Sequence, residues 1–293
     1  MAATAYFVQF PHPGGENTAR TDEVAWNTTD TPHRRKFLLA PGRYLDAADG
    51  IGEGELVFWG EWEPPSRIER RWPQQDRLPR TLHRPFWTRP AIAGSWHNTD
   101  PWVFGERMLY SNCRQLTGAG RPSALQRLIP GSVICFGSTI TGEFCVDTVF
   151  VVARCEPWTP AQAAALDVGE AFTMCTAQTT TSSCTTSGCG GAHLPLTLYR
   201  GATLDEPIHG MYSFVPARPT DSPDLRFSRP PIHLPGLINP TNRQSTWGSR
   251  RALPIASVQH AWAALRHQVL SAGLVLAVHL ATPVHQDANM AVR

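Results

Sequence analysis

Lysine is almost absent from this sequence of 293 residues, in which Lys36 stands beside 25 arginines. A GC-rich genome would produce such a bias without any functional cause. Arginine is nevertheless the side chain that binds phosphate in a bidentate manner and stacks on aromatic faces. Because the net charge is only +2, bulk charge says little about partners, and both interpretations of the arginines stay open.

Long apolar runs are also missing, since none approaches the roughly 20 residues of a membrane span. The first ten residues have neither a basic segment nor a cleavable apolar segment, so no secretory signal is expected. The seven cysteines are odd in number and irregularly spread, which favours reduced thiols. We therefore expect a cytoplasmic protein that does not associate with a membrane.

Several common motifs of nucleotide and protease chemistry do not occur. The sequence contains no G-x-S-x-G, no P-loop, no G-x-G-x-x-G that opens a helix after a strand, and no H-E-x-x-H. Each motif places particular side chains or backbone groups on a reacting centre. Their absence removes the commonest explanations based on nucleotide hydrolysis, dinucleotide binding and zinc proteolysis.

Proline, in contrast, is plentiful, with 26 residues scattered along the whole chain. Proline at this frequency disfavours helical bundles and favours short strands joined by ordered loops. Apolar runs and alternation predict strands at residues 5–10, 33–39, 55–62, 131–138 and 144–152. The last two should form a hairpin around the turn at Thr141-Gly142.

Two helices are predicted. A short one runs from Pro160 to Leu166 with Thr159 as its cap, because proline suits the first helical position. A longer one begins at Ser257 and ends at Gly273, followed by a buried strand at 274–280. Its apolar face comprises Val258, Trp262, Leu265 and Val269.

Strands with few helices indicate a β-rich α+β fold: a mixed or small closed β-barrel with helical decoration and long loops rich in proline and arginine. Residues 66–100 are predicted to be a long ordered loop, and residues 176–191 a loop rich in threonine, serine and glycine. We expect a β-rich core with a nucleotide site in residues 1–155. An elaborated C-terminal part, 156–293, should pack into the same unit.

Tryptophan and arginine cluster in the N-terminal half, where seven of the ten tryptophans precede residue 103. Aromatic faces stack on bases and guanidinium groups bind phosphates, which suits a flipped or single-stranded nucleotide. The predicted base pocket consists of Trp59, Trp62 and Trp102, and the predicted phosphate ligands are Arg34, Arg35, Arg70 and Arg71. The alternative is that the tryptophans belong to the core and the arginines to a solvated surface.

Short polar side chains surround the Pro101-Trp102 step. Asn98, Asp100, Asn112 and Gln115 could supply the few directional hydrogen bonds of a small-molecule pocket. They could equally form a turn in which a carboxylate or amide binds nearby backbone groups.

Acid–base candidates are few. His12 and Glu16 lie on a rigid loop just after the first strand, where a histidine and a carboxylate could act as general base and partner. His97 and Asp100 are two further candidates for catalytic roles. No nucleophile can be assigned beside them.

Three cysteines and a histidine match the ligand types of a tetrahedral zinc site. They are Cys175, Cys184, Cys189 and His193. The residues between them lack the basic and aromatic side chains with which zinc fingers bind RNA. A zinc-bound loop and a flexible loop with incidental thiols are both consistent with this spacing.

Residues 128–136, with the strand at 145–152, resemble the segment of PUA-like barrels in which a glycine turn precedes an apolar strand. The EVE and ASCH families belong to that group. Residues 56–62 are similar to the pocket-lining strands of those barrels, and the resemblance covers about a third of the chain. It implies a small barrel with a pocket for a modified or flipped base.

These observations lead to three hypotheses. The first is a binding module for nucleic acid or a modified nucleotide, and the second is a hydrolase-type enzyme that acts on such a ligand. A structural or interaction protein is the third, and it predicts buried tryptophans and dispersed arginines. The enzyme hypothesis requires that the acid–base candidates converge in one cleft.

Overall fold

The computed structural model describes residues 3–16, 18, 21–28, 33, 35–74, 78–90, 96–181 and 193–286. Its strands, in chain order, are β1 Thr4–Pro11, β2 Glu23–Val24, β3 Arg35–Leu45, β4 Ile51–Glu61, β5 Ser66–Arg71, β6 Thr81–Pro85, β7 Leu109–Tyr110, β8 Val133–Ile140, β9 Glu143–Trp158, β10 Leu196–Gly201, β11 Val215–Pro219, β12 Ala252–Pro254 and β13 Val275–Leu280. The helices are α1 Glu170–Phe172, which a π-helical turn continues over Thr173–Ala177, and α2 Ile255–Ser271. Two 3-10 helices span Ala124–Arg127 and Pro160–Ala165.

The strands form two mixed sheets. The first has the order β12-β1-β8-β9-β10-β7 and the second the order β13-β11-β4-β3-β6-β5-β2. In the second sheet β13 also pairs with β3, so that β3, β4, β11 and β13 close into a ring. The predicted β-rich α+β fold is confirmed, and among the described residues these four strands of the second sheet are the ones that close.

The β8–β9 hairpin follows from its turn residues. Thr141 and Gly142 both have positive φ, 49° and 87°, which is the backbone shape that a two-residue hairpin turn requires. Val133 pairs with Val151 and Phe136 with Thr148 across the hairpin. The predicted hairpin is therefore present, although β9 extends to Trp158, beyond the predicted end.

The β3–β4 hairpin separates two hydrophobic cores. Leu38 and Phe58 belong to the first core, on one of its faces, and Phe37 and Trp59 belong to the second core, on the other face. This division arises because successive side chains of a strand point to opposite faces. Both faces are covered, so the hairpin is buried along much of its length.

Helix α2 covers the second core with the face that its sequence predicts. Val258, Trp262, Leu265 and Val269 are buried in that core. The helix begins two residues earlier than the predicted Ser257, at Ile255. Gly273 follows it with a φ of 75°, a conformation that glycine adopts without steric cost.

Residues 66–100 are not one long loop, because β5 and β6 lie within them. Because β5 is rich in exposed arginines, its sequence shows no alternation of apolar and polar residues. Pairing with β2 and β6 stabilises it as a strand. The predicted helix at 160–166 is a 3-10 helix, and Thr159 does cap it together with Gln162. Of the predicted loop at 176–191, residues 176–181 are helical and the remainder lies outside the described residues.

Strands from both parts of the chain belong to each sheet. β12 pairs with β1, and β11 and β13 pair with β4 and β3. Within the described residues no helix has the length and apolar character needed to cross a lipid bilayer.

The single lysine lies inside the second sheet rather than on its surface. Lys36 Nζ donates to Ser66 Oγ at 3.3 Å, and this hydroxyl lies 3.2 Å from His83 Nδ1. All three side chains are almost fully buried. Burial, followed by the positive charges of Lys36 and Arg71, lowers the pKa of His83 to about 3.

This lowered pKa predicts a pH dependence of stability. Between about pH 3 and pH 6.5 the folded protein binds fewer protons at His83 than the unfolded chain does. The free energy of unfolding should therefore fall as the pH is lowered, by roughly 1.4 kcal/mol per pH unit from this residue. Urea unfolding of the wild type and of His83→Gln at pH 7, 6, 5 and 4 would measure it. The stability gap should shrink as the pH falls, and a constant gap would contradict the assignment.

Candidate functional site

The open end of the β3–β4 hairpin carries charged side chains that face one another. Arg35 and Glu61 are register partners, and their side chains form an ion pair that is almost fully buried. Because alternate residues share a face, extending the register by two residues places His33 opposite Glu63 on that same face. The His33 Nδ1 atom lies 2.9 Å from Glu63 Oε1 and 3.5 Å from Glu61 Oε1.

The loop after β1 brings His12 to this end of the hairpin. The backbone N–H of His12 donates to the carbonyl oxygen of Gly137 at 2.6 Å, and its ring lies 5.5 Å from that of Phe136. Arg35 donates to the Pro13 carbonyl oxygen at 3.3 Å. The Arg35–Glu61 ion pair therefore also holds the loop that carries His12.

A small cavity lies between the two sheets beside these groups. Its volume is about 10 Å³, close to the smallest space that admits one water molecule. The lining residues are His12, Arg35, Trp59, Gly60, Glu61, Pro101, Val103, Phe136, Asp147 and Thr148. Polar groups that are distant in sequence thus line one small cavity.

Asp147, which lines the cavity, belongs to a second buried ion pair. Arg229 Nη1 is 3.3 Å from Asp147 Oδ1, and both side chains are about 5% exposed. The same guanidinium donates to Ser138 Oγ at 2.9 Å and to the Gly14 carbonyl oxygen at 2.5 Å. It also lies 4.1 Å above the ring centroid of Trp59. Burial raises the pKa of Asp147, and the charge of Arg229 opposes that shift.

His12 is a neutral imidazole at neutral pH. Burial, and then the positive charge of Arg35, lowers its pKa well below the usual value. Its Nε2 atom is buried and has no hydrogen-bond partner among the described residues. A neutral imidazole with an open ring nitrogen is the form of histidine that can accept a proton.

His97 joins His33 and Glu63 from a third segment of the chain. The imidazole and carboxylate atoms of these three residues that could ligate a metal all lie within 4.8 Å of one another. The two rings stack with centroids 4.1 Å apart, and His97 Nδ1 lies 3.6 Å from Glu63 Oε2. The Glu63 side chain is fully buried, whereas His33 is half-exposed. The cluster therefore reaches solvent through His33.

Charge compensation inside this cluster is strong. Burial alone would raise the pKa of Glu63, but His33 and His97 lower it to about 2. Hydrogen bonds to Glu61 and Glu63 raise the pKa of His33 to about 10. At neutral pH, without another cation, an imidazolium at His33 thus neutralises a buried carboxylate.

Asp100 supports the backbone rather than facing the cavity. Its carboxylate accepts backbone N–H groups from Ser111 and Asn112 at 2.9 Å and from Cys113 at 2.6 Å. Burial raises its pKa to about 6, and these three N–H groups oppose the shift. For Asp100 the structure shows the second of the two predicted roles, a turn in which the carboxylate binds nearby backbone N–H groups.

Other predicted polar residues also hold loops in place. Gln115 makes two hydrogen bonds with the backbone of Thr197, at 2.7 and 2.8 Å. Glu16 accepts the backbone N–H groups of Arg80 and Thr81, both at 2.9 Å, and its side chain is buried. Glu16 is therefore an anchor of the loop and not an acid–base partner of His12.

The remaining two predicted polar ligands do not line the cavity. The Asn112 side chain donates to Ser111 Oγ at 2.9 Å, and Asn98 is half-buried.

The three predicted pocket tryptophans do not share a pocket. Trp62 and Trp102 pack against each other, with centroids 5.8 Å apart, in the first core. Trp59 belongs to the second core, because residues 59 and 62 differ by an odd number and point to opposite faces. Only Trp59 lines the cavity, and its ring is covered by Arg229.

The predicted phosphate-binding arginines lie in different environments. Arg35 is buried and paired with Glu61, so it is not a surface ligand. Arg70 and Arg71 are exposed on β5. Arg34 lies outside the described residues.

The predicted zinc ligands are only partly described. Cys175 is fully buried in the π-helical turn, and burial raises the pKa of its thiol. His193 is exposed, and Cys184 and Cys189 lie outside the described residues.

Five residues of this site were not singled out by sequence reasoning: His33, Glu61, Glu63, Asp147 and Arg229. A signal for three of them was present. His33-x-Arg35 and Glu61-x-Glu63 are opposite-charge pairs on two strands that were both predicted, and the hairpin register would have paired them. No such local signal marks Asp147 and Arg229, which are 82 residues apart.

Comparisons with protein-family models, with curated proteins and with solved structures found no match. The resemblance to PUA-like barrels stays a prediction.

The second ion pair generates a stability prediction. Arg229→Met should lower the free energy of unfolding by roughly 3–5 kcal/mol, because it leaves the Asp147 carboxylate buried and uncompensated. Arg229→Met combined with Asp147→Leu should recover much of that loss, since no buried charge remains. Urea unfolding followed by tryptophan fluorescence would measure both. A double variant no more stable than the single one would refute this account of the pair.

Proposed function

We propose that this chain is a hydrolase-type enzyme that acts on a nucleotide or a nucleic acid, with His12 as its general base. The supporting observation is that acid–base groups distant in sequence converge at one end of the β3–β4 hairpin. His12 and Glu61 line the same cavity, and Glu61 is followed on the same face by Glu63, which His97 contacts. Such convergence distinguishes a reacting centre from dispersed surface polarity.

His12 is unprotonated at neutral pH, because burial and the charge of Arg35 lower its pKa. General-base catalysis requires an unprotonated group within reach of the proton that it removes. The cavity beside His12 has room for about one water molecule. In the proposed step, the water oxygen bonds to the electrophilic atom of the substrate, a water proton passes to His12, and the leaving group departs with the electrons of the broken bond.

The position of the arginines favours a phosphate-containing substrate. β3 and β6 are parallel, and β5 is antiparallel to β6. Arg71, at the end of β5, therefore lies at the same end of the sheet as the start of β3, beside which the cavity lies. Arg70 lies next to Arg71, with its guanidinium 5.3 Å from the ring centroid of Trp72. A guanidinium group and an aromatic ring together suit a phosphate and a base.

His12→Gln should reduce turnover by roughly 100-fold or more, since a positioned base contributes about 10²–10⁴ to the rate. The wild type would be incubated with ribonucleotides, deoxyribonucleotides and single- and double-stranded oligonucleotides, with products identified by mass spectrometry. His260→Gln is the matched control, because His260 is exposed on α2. Full activity in His12→Gln would exclude His12 as the base, and no turnover of any of these substrates would refute the enzyme proposal.

A binding module without catalysis is the second candidate, and the exposed Arg70 and Arg71 favour it. Binding to an oligonucleotide at about 50 mM salt should weaken steeply as salt is added, because phosphate contacts release counterions. Arg70→Gln with Arg71→Gln should flatten that salt dependence. Salt-sensitive binding with no turnover would favour this candidate, and no binding at low salt would exclude it.

A further inference from the structure

We propose that His33, Glu63 and His97 bind one divalent transition-metal ion of the zinc or iron(II) type. A catalytic role for the ion rests on the proposed function, whereas binding of the ion does not. Binding of the ion can be measured without any substrate.

The three side chains are close enough to share an ion. His33 Nδ1 lies 2.9 Å from one Glu63 carboxylate oxygen, and His97 Nδ1 lies 3.6 Å from the other. Both separations are below about 4 Å, twice the usual metal–ligand distance of about 2.1 Å. A single ion can therefore contact both imidazoles and the carboxylate after small adjustments of the side chains.

The ligand types select the class of metal. Two imidazole nitrogens and one carboxylate are typical of zinc and of non-haem iron(II), whereas calcium and magnesium prefer oxygen ligands alone. Three protein ligands also leave coordination positions open, as catalytic sites do. His33 is half-exposed, so an ion and a small reactant can reach the cluster from solvent.

Neighbouring groups hold the ligands in position. The Asn27 side-chain amide donates to Glu63 Oε2, and Thr99 Oγ1 accepts the backbone N–H of Glu63 at 3.1 Å. The backbone of Asn27 links the two ligand segments, since its N–H donates to the Glu63 carbonyl oxygen and its own carbonyl oxygen accepts the N–H of His97. Partners of this kind orient metal ligands and raise affinity. Asn27 is thus a positioning residue of the proposed site.

His97 supplies a further indication. Its Nδ1 atom is buried and lies 3.6 Å from Glu63 Oε2, slightly too far for a good hydrogen bond. Buried polar atoms are normally satisfied, and an unsatisfied one calls for an unseen ion or water as its partner. A metal ion would satisfy this nitrogen, and it would take the place of the His33 proton as the positive charge that neutralises Glu63.

Metal content and affinity test the proposal on the whole chain of 293 residues. The protein would be stripped with a chelator, and Zn²⁺, Co²⁺, Mn²⁺ and anaerobic Fe²⁺ would each be titrated by calorimetry, with the bound metal counted by elemental analysis. We expect one ion per chain, and Co²⁺ should give visible bands of a site with nitrogen ligands. His33→Gln and Glu63→Gln should abolish binding, and Asn27→Ala should weaken it roughly 10–100-fold. The matched control His260→Gln should bind as the wild type does.

Two results would overturn the site. One is that none of the four ions binds to the stripped, folded protein. The other is that binding survives in both His33→Gln and Glu63→Gln but is lost in Cys184→Ser with Cys189→Ser, which would place the ion at the cysteines. Circular dichroism of each variant separates loss of the site from loss of the fold, and glutamine at position 33 keeps a hydrogen-bond donor for the buried Glu63 carboxylate.

Failure of this inference differs from failure of the proposed function. Stoichiometric binding that depends on His33, without turnover of any nucleotide, supports the metal site and refutes the enzyme. Turnover by fully stripped protein, together with no metal binding, refutes the metal site and leaves the enzyme standing.

Discussion

The register of the β3–β4 hairpin is the constraint on which the rest of this structure depends. Eleven consecutive residue pairs, from Arg35 with Glu61 to Leu45 with Ile51, are aligned in it. A shift of one residue would move every side chain to the opposite face. Phe37 and Trp59 would then leave the core beneath α2, and the charged residues at the open end would no longer face each other. One register thus defines both hydrophobic cores and the polar end between them.

The buried charges at that end are better explained by position than by stability. Taking two ions out of water costs several kcal/mol per ion, so a buried pair often contributes little net stability compared with an apolar pair. Arg35 and Arg229, however, each bind a backbone carbonyl oxygen of the loop at Pro13 and Gly14. They hold the loop that carries His12 beside the cavity, where burial and then the charge of Arg35 keep its imidazole neutral. Holding a neutral imidazole in place is a physical reason for burying these ions despite the free energy that their desolvation costs.

Local signals account for the parts of the fold that could be predicted. Apolar strands around Thr141-Gly142 predict the β8–β9 hairpin, and apolar residues at helical spacing predict α2. Strands β5 and β6 gave no comparable signal, because their stability comes from partners elsewhere in the sheet. The predicted base pocket of three tryptophans was wrong because the sequence does not show which side chains share a face. Abundance near arginine indicates a pocket only if the side chains share a face, and Trp59 and Trp62 do not.

The sequence by itself determined the β-rich class, the strong hairpin, the last helix and the candidacy of His12 and His97, because each depends on residue type and short-range spacing. Only the tertiary structure decided which polar residues meet. Asp147 and Arg229 pair across 82 residues, and Glu63 and His97 belong to separate segments whose contact no local pattern encodes. Asp100 and Glu16 had the right chemistry for a reacting centre, but backbone N–H groups occupy their oxygens. Long-range packing decides whether a carboxylate binds the backbone of a loop or faces the candidate site. The contacts responsible join residues that are far apart in the sequence, so neighbouring residues do not specify them.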